Sequence, residues 1–550
     1  MSDVKKLVER ATVLLGKRFD LLQLWQTIAD NFYVERATFT VSRALGEEFA
    51  SNLMTSYPLM VRRDLGNQLS GMLRPTSKDW FHIGTERAQK DLQARAWLEY
   101  ATGVQKRAMY DRKARFVRAT KEGDHDFAAF GQCVISVELY QQPDLAGRPP
   151  AAPHLLYRCW HLRDCAWAED VTGEVDTVVR KWKPTLYQLS KLYPGKLNQK
   201  RMTQMAQDPM CEVECLHIVV PSDTYDCGDG KKLRTRFVSV MVDVEEFCAL
   251  EEVGQHSMPY VVPRWQTVSD SQYAYSPATV CALPDARLLQ AMTLTLLEAG
   301  EKAVNPPMVG VQSALRSDLN IFPGGFTAVD AAFDGKLREV LAPLSVDKSG
   351  LPYGIEIRDD IKVSLMDAFY LNKLNLPPVD TKAMTAYEVS QRVSEYIRQA
   401  LPLFEPMETD YNGALCERTF DILMRNGAFG SADTIPEVLS EQDITFRFES
   451  PLQEAVERQK ASVFIEAKGL VAEAVALDPA AAGVINAPQA LRAALLGIGF
   501  AAADMRTEEE VAQIQAQEAA AQQQQQLLNA IEQGAGIAKT AGEAAQSFQA

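Results

Sequence analysis

Met384-Thr385-Ala386-Tyr387-Glu388-Val389-Ser390-Gln391-Arg392 is the stretch on which the reading of this chain turns. Thr385 has the hydroxyl that caps a helix start, and Val389, Val393 and Ile397 then fall on one helical face. Glu388 with Arg392, and Glu395 with Arg398, are charge pairs at helical spacing. Before this start stands a stop, Asn375-Leu376-Pro377-Pro378, closing a helix expected from near Asp359 with Ile361, Leu365 and Phe369 spaced by four. Earlier still, Pro284 opens a helical segment to about Val304, with Leu288, Met292, Leu296 and Ala299 on one face. Asn305-Pro306-Pro307 stops that one, and a Gly/Pro-punctuated, strand-like excursion containing Phe322-Pro323-Gly324-Gly325-Phe326 separates the two. Two short helices bounded by prolines, at either end of an irregular excursion, make an out-and-back hairpin.

Outward from the hairpin, the N-terminal side reads as helix and then sheet. Leu7, Leu14, Leu21, Trp25, Ile28 and Phe32 recur at helical spacings. A second helix is expected over 47–73, broken by Pro58, with Leu65, Leu69 and Leu73 on one stripe. Arg74-Pro75-Thr76-Ser77 ends it, and Trp80-Phe81-His82-Ile83 reads as a strand. A third helix over 87–121 carries a basic run, Lys106, Arg107, Arg112, Lys113, Arg115 and Arg118; a solvated face or a subunit interface suits it better than a DNA contact. Strands dominate 127–266, among them 133–137, 175–182 and 237–242, with turn chemistry at Asp170-Val171-Thr172-Gly173-Glu174-Val175. On the C-terminal side, Pro402 and Pro406 kink the helix that starts at Thr385 before it resumes toward Met424. Residues 444–448 alternate like a strand, 451–498 are helical and Ala-rich, and the tail from Thr507 is of low complexity, including Gln522 to Gln526.

The 550 residues are 47% hydrophobic and 23% charged, enough to bury cores over most of the length. The balance of 57 Lys and Arg against 72 Asp and Glu gives a net charge of −15. Gripping nucleic acid over a whole surface needs phosphate neutralisation, so this charge speaks against a gripping protein but not against one that lets DNA slide past an acidic wall. Met1 to Arg10 lacks the apolar core of a secretory leader, and no run approaches the roughly 18 consecutive apolar residues of a membrane helix. No membrane partner is expected. Nine dispersed cysteines read as buried thiols from a reducing compartment.

Candidate chemistry is thin. Cys211, Cys215 and His217, with Cys227 downstream, do not have the spacing of paired zinc hooks, and Cys215 and His217 alternate along an expected strand. His161, Asp164 and Cys165 could suggest a thiol with a base, but no Gly-rich turn accompanies them. No Gly-rich stretch ends in the Gly-Lys-Ser/Thr of a phosphate loop. The expectation is therefore no catalytic residue, no metal and no cofactor.

Three segments, taken in order, resemble the portal (head-to-tail connector) proteins of short-tailed, podovirus-type phages, over about residues 18–498. The first is a helix ending in a small-Pro-x-x-Trp-Phe pattern, here Leu73-Arg74-Pro75-Thr76-Ser77-Lys78-Asp79-Trp80-Phe81. The second is Tyr273-Ala274-Tyr275-Ser276-Pro277 followed by Ala282-Leu283-Pro284-Asp285, with Ala274 and Tyr275 standing where the family pattern has Gly and Arg. The third and most specific is the opening stretch, a Met-Thr-Ala-x-Glu-Val-x-x-Arg segment. The residues carrying the pattern are Pro75, Trp80, Phe81, Ser276, Pro277, Pro284, Asp285, Thr385, Glu388 and Arg392.

The resemblance implies an α+β, mainly helical portal fold, assembled as a ring of about twelve subunits around a channel. It divides the chain into a wing (1–276), a first stem helix (277–304), a clip (305–354), a second stem helix (355–374) and a channel loop (375–384). A kinked helix returning to the wing (385–460), crown helices (461–506) and the Gln/Ala-rich tail (507–550) follow. The implied function is a late structural protein at one capsid vertex of the virion, assembled in the host cytoplasm, through which DNA is packaged and ejected. Implied partners are further copies of the chain, double-stranded DNA in the channel, the large terminase motor, scaffolding and major capsid proteins, and a tail adaptor. The loop residues Asn375, Pro377, Pro378, Asp380, Thr381, Lys382 and Met384 would face DNA, with Lys382 the only cation among them. Two other readings remain at this point: an enzymatic component of the packaging machinery, which would need a phosphate loop, and a cellular scaffold protein with no viral role.

Overall fold

A computed structural model describes residues 2–44, 46–48, 50, 53–75, 79–85, 92–141, 152–226, 234–269, 271–304, 306, 308–310, 341–343, 350–374, 407–430, 435–439, 444–448, 468 and 491. The chain divides into two units, Met1–Leu452 and Gln453–Ala550; Lys468 and Leu491 are the described residues of the second.

The N-terminal helical stretch is two helices, α1 (Ser2–Gly16) and α2 (Phe19–Phe32). The chain breaks between them because Arg18 turns inward, 2% exposed, and its guanidinium donates to the carbonyls of Leu162, Arg163 and Cys165. Each helix then serves a different core. The turn chemistry at Asp170 works as expected: its carboxylate accepts from the N–H groups of Thr172 and Glu174 between β4 (Cys165–Glu169) and β5 (Val175–Trp182). These strands continue into β6 (Cys215–Pro221), β7 (Phe237–Asp243) and β8 (Cys248–Gln255), giving an antiparallel sheet in simple sequence order. Alternation decides its two faces. Leu216, Ile218, Val220, Val238, Val240 and Val242 meet Leu7, Val8, Ala11 and Leu15 of α1. Each such apolar side chain stabilises by about 1.5–3 kcal/mol when fully buried. Cys215 and Met241 take the other face, under Leu186 and Leu189 of a short helix α6 (Leu186–Leu192), and a further helix, Gln199–Gln207, follows it.

The helical body is built on α2, α3 (Tyr57–Leu73), α4 (Leu92–Met109) and α5 (Phe116–Phe130). Pro58 starts α3 from its first turn, where its missing N–H costs nothing, and so does not break a longer helix. The expected helix over 87–121 is likewise two, because the chain turns after Met109 and Arg115 adopts a left-handed conformation (φ 58°) just before α5. Phe81 opens β1 (Phe81–Gly84), which pairs with the distant strand Thr445–Phe448. A three-stranded sheet, in the order His154–Trp160, Val134–Tyr140, Tyr260–Val261, lies beside α5. Trp25, Phe130, Tyr273 and Trp167 link the helical body to the five-stranded sheet, with ring centroids 4.5–6.1 Å apart.

The helical hairpin is present, with shifted bounds. Its first arm, α8 (Pro277–Val304), begins at Pro277 and contains Pro284, so Pro284 is not the start. Pro284 deprives the Val280 carbonyl of its helical partner; Val280 is 47% exposed, so water serves that carbonyl. The helix ends at Val304, before Pro306, as expected. The second arm, α9 (Gly350–Ala368), begins nine residues before Asp359, with Pro352 in its first turn. Tyr370 (φ 58°) ends that arm before the short α10 (Leu371–Leu374). Between the arms, Met308–Gly310 pairs antiparallel with Leu341–Pro343. A π-helical turn, Glu408–Gly413, leads into α11 (Ala414–Arg425).

Candidate functional site

The hairpin is clamped at one end and bare at the other. At its base, Leu289 and Leu365 are fully buried, and Phe369 packs on Phe32 with ring centroids 5.4 Å apart. The Gln290 side chain accepts from the N–H groups of Met54 (2.8 Å) and Thr55 (3.0 Å) and donates to the Thr55 carbonyl (2.9 Å). Tyr57 donates to the Lys362 carbonyl at 3.2 Å. Beyond this clamp the arms touch chiefly each other: a Cβ at Gly354 would stand 2.8 Å from Leu296 Cδ2. From Gln290 to Val304 and from Gly350 to Asp360 no described residue is buried. Leu294, Leu297, Val304, Tyr353, Ile355 and Val363 are exposed there or nearby, between 42% and 88%. By length and average composition α8 even resembles a membrane span (mean hydropathy 1.2), although Asp285 and Arg287 interrupt any continuous apolar run, and only 17% of its most apolar window is buried.

The charge on the arms is acidic. Seven carboxylates (residues 285, 298, 301, 356, 359, 360 and 367) stand against Arg287, Lys302, Arg358 and Lys362. Lys362 and Arg358 bind Asp359 and hold its carboxyl below the usual range.

The motif residues that fall among the described ones serve the body. Arg74 is buried; it pairs with Asp124, donates to Asn412 at 2.7 Å, and lies 4.7 Å from the Tyr411 ring centroid. Asn412 returns a bond to the Leu73 carbonyl at 3.2 Å. Tyr411 and Asn412, consecutive in the π-turn, are both fully buried. Half-buried Pro75 follows. Trp80 donates to the Tyr110 hydroxyl at 2.9 Å and lies between the rings of Phe116 and Phe448, each 6.3 Å away and nearly parallel. Phe81 packs edge-on against Trp80 and pairs with Phe448 across the strands. Ser276 caps α8: its hydroxyl donates to the Ala128 carbonyl at 2.8 Å and accepts from Thr279 N–H at 3.4 Å. Pro277 takes the first helical position, Pro284 is exposed, and Asp285 is half-buried. The loop residues Asn375, Pro377, Pro378, Asp380, Thr381, Lys382 and Met384, and the motif residues Thr385, Glu388 and Arg392, lie outside the described residues.

The weak chemical candidates resolve as packing. Burial pushes the Cys165 thiol up to about 12 and His161 down to about 3, so at neutral pH the thiol stays protonated and the imidazole is a weak base. His161 accepts from Arg163 N–H and packs against Phe39. Both ring nitrogens of His217 are engaged, by Tyr260 and Ser239, and Cys215 is buried. Cys281 is exposed on α8, against the expectation of buried thiols, and Cys227 lies outside the described residues. In the basic run, Lys106 pairs with Asp79, while Arg107, Arg112, Lys113, Arg115 and Arg118 are exposed. Sequence reasoning passed over Arg74 and its partners, because Asp124 and Asn412 lie 50 and 338 residues away and no local pattern marks them.

Comparison with known proteins gives one family over nearly the whole chain: the profile described as bacteriophage head to tail connecting protein matches residues 4–505. A protein named probable portal protein, from Bordetella phage BPP-1, is 26% identical over 461 residues, 82% of this chain and 79% of that one. The portal protein of Salmonella phage epsilon15 is 22% identical over 509 residues, 90% of this chain and 87% of that one. Among solved structures, a chain from the neck of an empty GTA particle covers 80% of this chain and 95% of itself, at 11% identity and a TM-score of 0.35.

Proposed function

Because the chain belongs to the bacteriophage head to tail connecting protein family, we propose that it closes into a ring at one capsid vertex and serves as the conduit for DNA packaging and ejection. The observation that carries this reading is the hairpin of α8 and α9, whose outer half exposes large apolar side chains that nothing in the same chain covers among the described residues. A soluble subunit does not leave such a surface bare without a partner. Copies related by rotation supply one another's cover through heterologous contacts that close. In this arrangement α8 and α9 are the stem, 305–349 the clip (shorter than the expected 305–354, because α9 starts at Gly350), the body before α8 the wing, and 461–506 the crown. The excess of carboxylates on the arms repels the DNA backbone and lets it slide.

The stretch 375–384 then forms the loop at the inner end of the stem. Lys382 is its one cation, stiffened in place by Pro377 and Pro378. Double-stranded DNA, the large terminase motor, scaffolding and major capsid proteins and a tail adaptor are the partners of such a ring. No catalytic step is assigned to it. Native mass spectrometry of the purified chain tests the reading: a closed species of about ten to fourteen subunits is expected, with a central hole by electron microscopy. A stable monomer at micromolar concentration in assembly buffer refutes it, and reproducible ATP turnover by the pure ring would favour an enzymatic part in packaging.

A further inference from the structure

On the face of the five-stranded sheet opposite α1, a cleft of about 420 Å³ opens between strands β5–β8, the three-stranded sheet and α11. Arg180 of β5 lines it and is only 4% exposed. Its guanidinium lies 3.8 Å above the Trp160 ring, with Trp182 5.9 Å away, and Nε donates to the Tyr260 hydroxyl at 2.9 Å. That hydroxyl meets His217 Nδ1, and His217 Nε2 meets the Ser239 hydroxyl at 2.6 Å. Burial holds this imidazole neutral, so the Tyr260–His217–Ser239 chain is satisfied internally and lends Arg180 no negative charge.

What remains is a buried cation that no carboxylate contacts among the described residues, Glu138 of the same cleft acting on it only from beyond ion-pair distance. Arg180 Nη1 is closed off and has no hydrogen-bond partner, and among the described residues Arg180 joins no ion pair. Leaving a buried guanidinium unpaired is costly unless something else occupies the site. The neighbouring cations are spent differently: Arg418 is held by Ser257 and Gln255, and Arg425 by Asp421. Arg158 stands exposed at the edge.

We propose that this cleft is a binding site for a carboxylate borne on an apolar or aromatic body, the carboxylate seated on the part of the Arg180 guanidinium that opens to the cleft and the body against Trp160 and Trp182. The planar fork matches a planar carboxylate. Glu138 and Glu251 also line the cleft and repel a phosphate dianion more than a monoanion. The volume suits a ligand about the size of one or two amino-acid residues.

The test titrates the full chain with 3-phenylpropionate and with its neutral primary amide, read by calorimetry and by tryptophan fluorescence. Saturable binding of the acid is expected, at least about tenfold tighter than the amide, the value of one charge-assisted bidentate contact. Arg180→Gln is expected to abolish the difference. Should that variant fail to fold, the acid-to-amide comparison on the unaltered chain decides alone. Equal binding of acid and amide, absence of saturable acid binding, or inorganic phosphate binding as tightly as the acid each overturns the proposal. An acetylated, amidated Phe-Asp dipeptide distinguishes the sources: displacement of the acid assigns the site to a protein side chain, and failure to displace assigns it to a free carboxylic acid.

Discussion

At position 131 the backbone takes φ +74°, and a Cβ there would overlap the main chain of Tyr275 and Ser276. The glycine lets the strand leaving α5 pass directly against the N-terminus of α8. Gly131→Ala is therefore expected to cost about 3 kcal/mol or more, read as a fall in urea stability of the full chain. Arg74→Met removes the counterion of Asp124 at a fully buried site, and about 3–5 kcal/mol should go with it. His217 gives a pH signature. Burial, with a smaller effect from nearby Arg180, lowers its pKa to about 3, below the unfolded value of about 6.5. The unfolded chain thus binds the proton first, and stability is lost as pH falls from about 6.5 toward 3. By pH 5 this one group should cost about 2 kcal/mol, and the corresponding fraction of the acid sensitivity should vanish in His217→Gln. None of these three roles was legible in the sequence. Arg74 meets Asp124 and Asn412, and His217 meets Tyr260, across separations that only the folded chain closes.

Among the elements, the hairpin carries the sharpest contrast between fold and assembly. Leu297 is 58% exposed on α8, so Leu297→Asp should change subunit stability by less than about 0.5 kcal/mol while abolishing the closed species in native mass spectrometry. Unfolding of the variant subunit, or normal rings, would remove the exposed stripe from the interface. For the segment 375–384 the expectation runs the other way: Lys382→Glu, or removal of 377–382, should leave rings intact and reduce packaged-DNA content, each measured separately. The hairpin was readable because apolar residues recur at helical spacing along both arms and Asn305-Pro306-Pro307 ends the first, and both are local signals; Pro284, expected as the start, lies inside that arm. Strands β5, β6 and β7 were readable for the same reason, through alternation and β-branched residues. The breaks at Arg18 and Arg115 were not. Both positions suit a helix by propensity, and tertiary contacts at Arg18 and a left-handed turn at Arg115 override it.

For the molecule as a whole, net charge −15 and an acidic hairpin suit a wall that guides a polyanion. Purified rings should show little affinity for double-stranded DNA near 0.15 M salt, and a log K against log [salt] slope shallower than about −2, where a gripping protein with six or more phosphate contacts shows a slope beyond about −5. The body that carries the hairpin is sealed by a pairing between distant parts of the sequence: Phe81–Gly84 against Thr445–Phe448, with Phe448 stacked on Trp80. About 360 residues separate the two strands, so at roughly 5–20 residues per second a ribosome needs on the order of 20–70 seconds to deliver the second after the first. For the last part of that interval, from Val304 to Thr445, the nascent chain has released α8 and its apolar stripe while β1 still waits with an open edge. The subunit is consequently most vulnerable to proteases and to premature association late in its own synthesis, and a chain cut short between Val304 and Thr445 should carry the exposed stripe without ever locking shut.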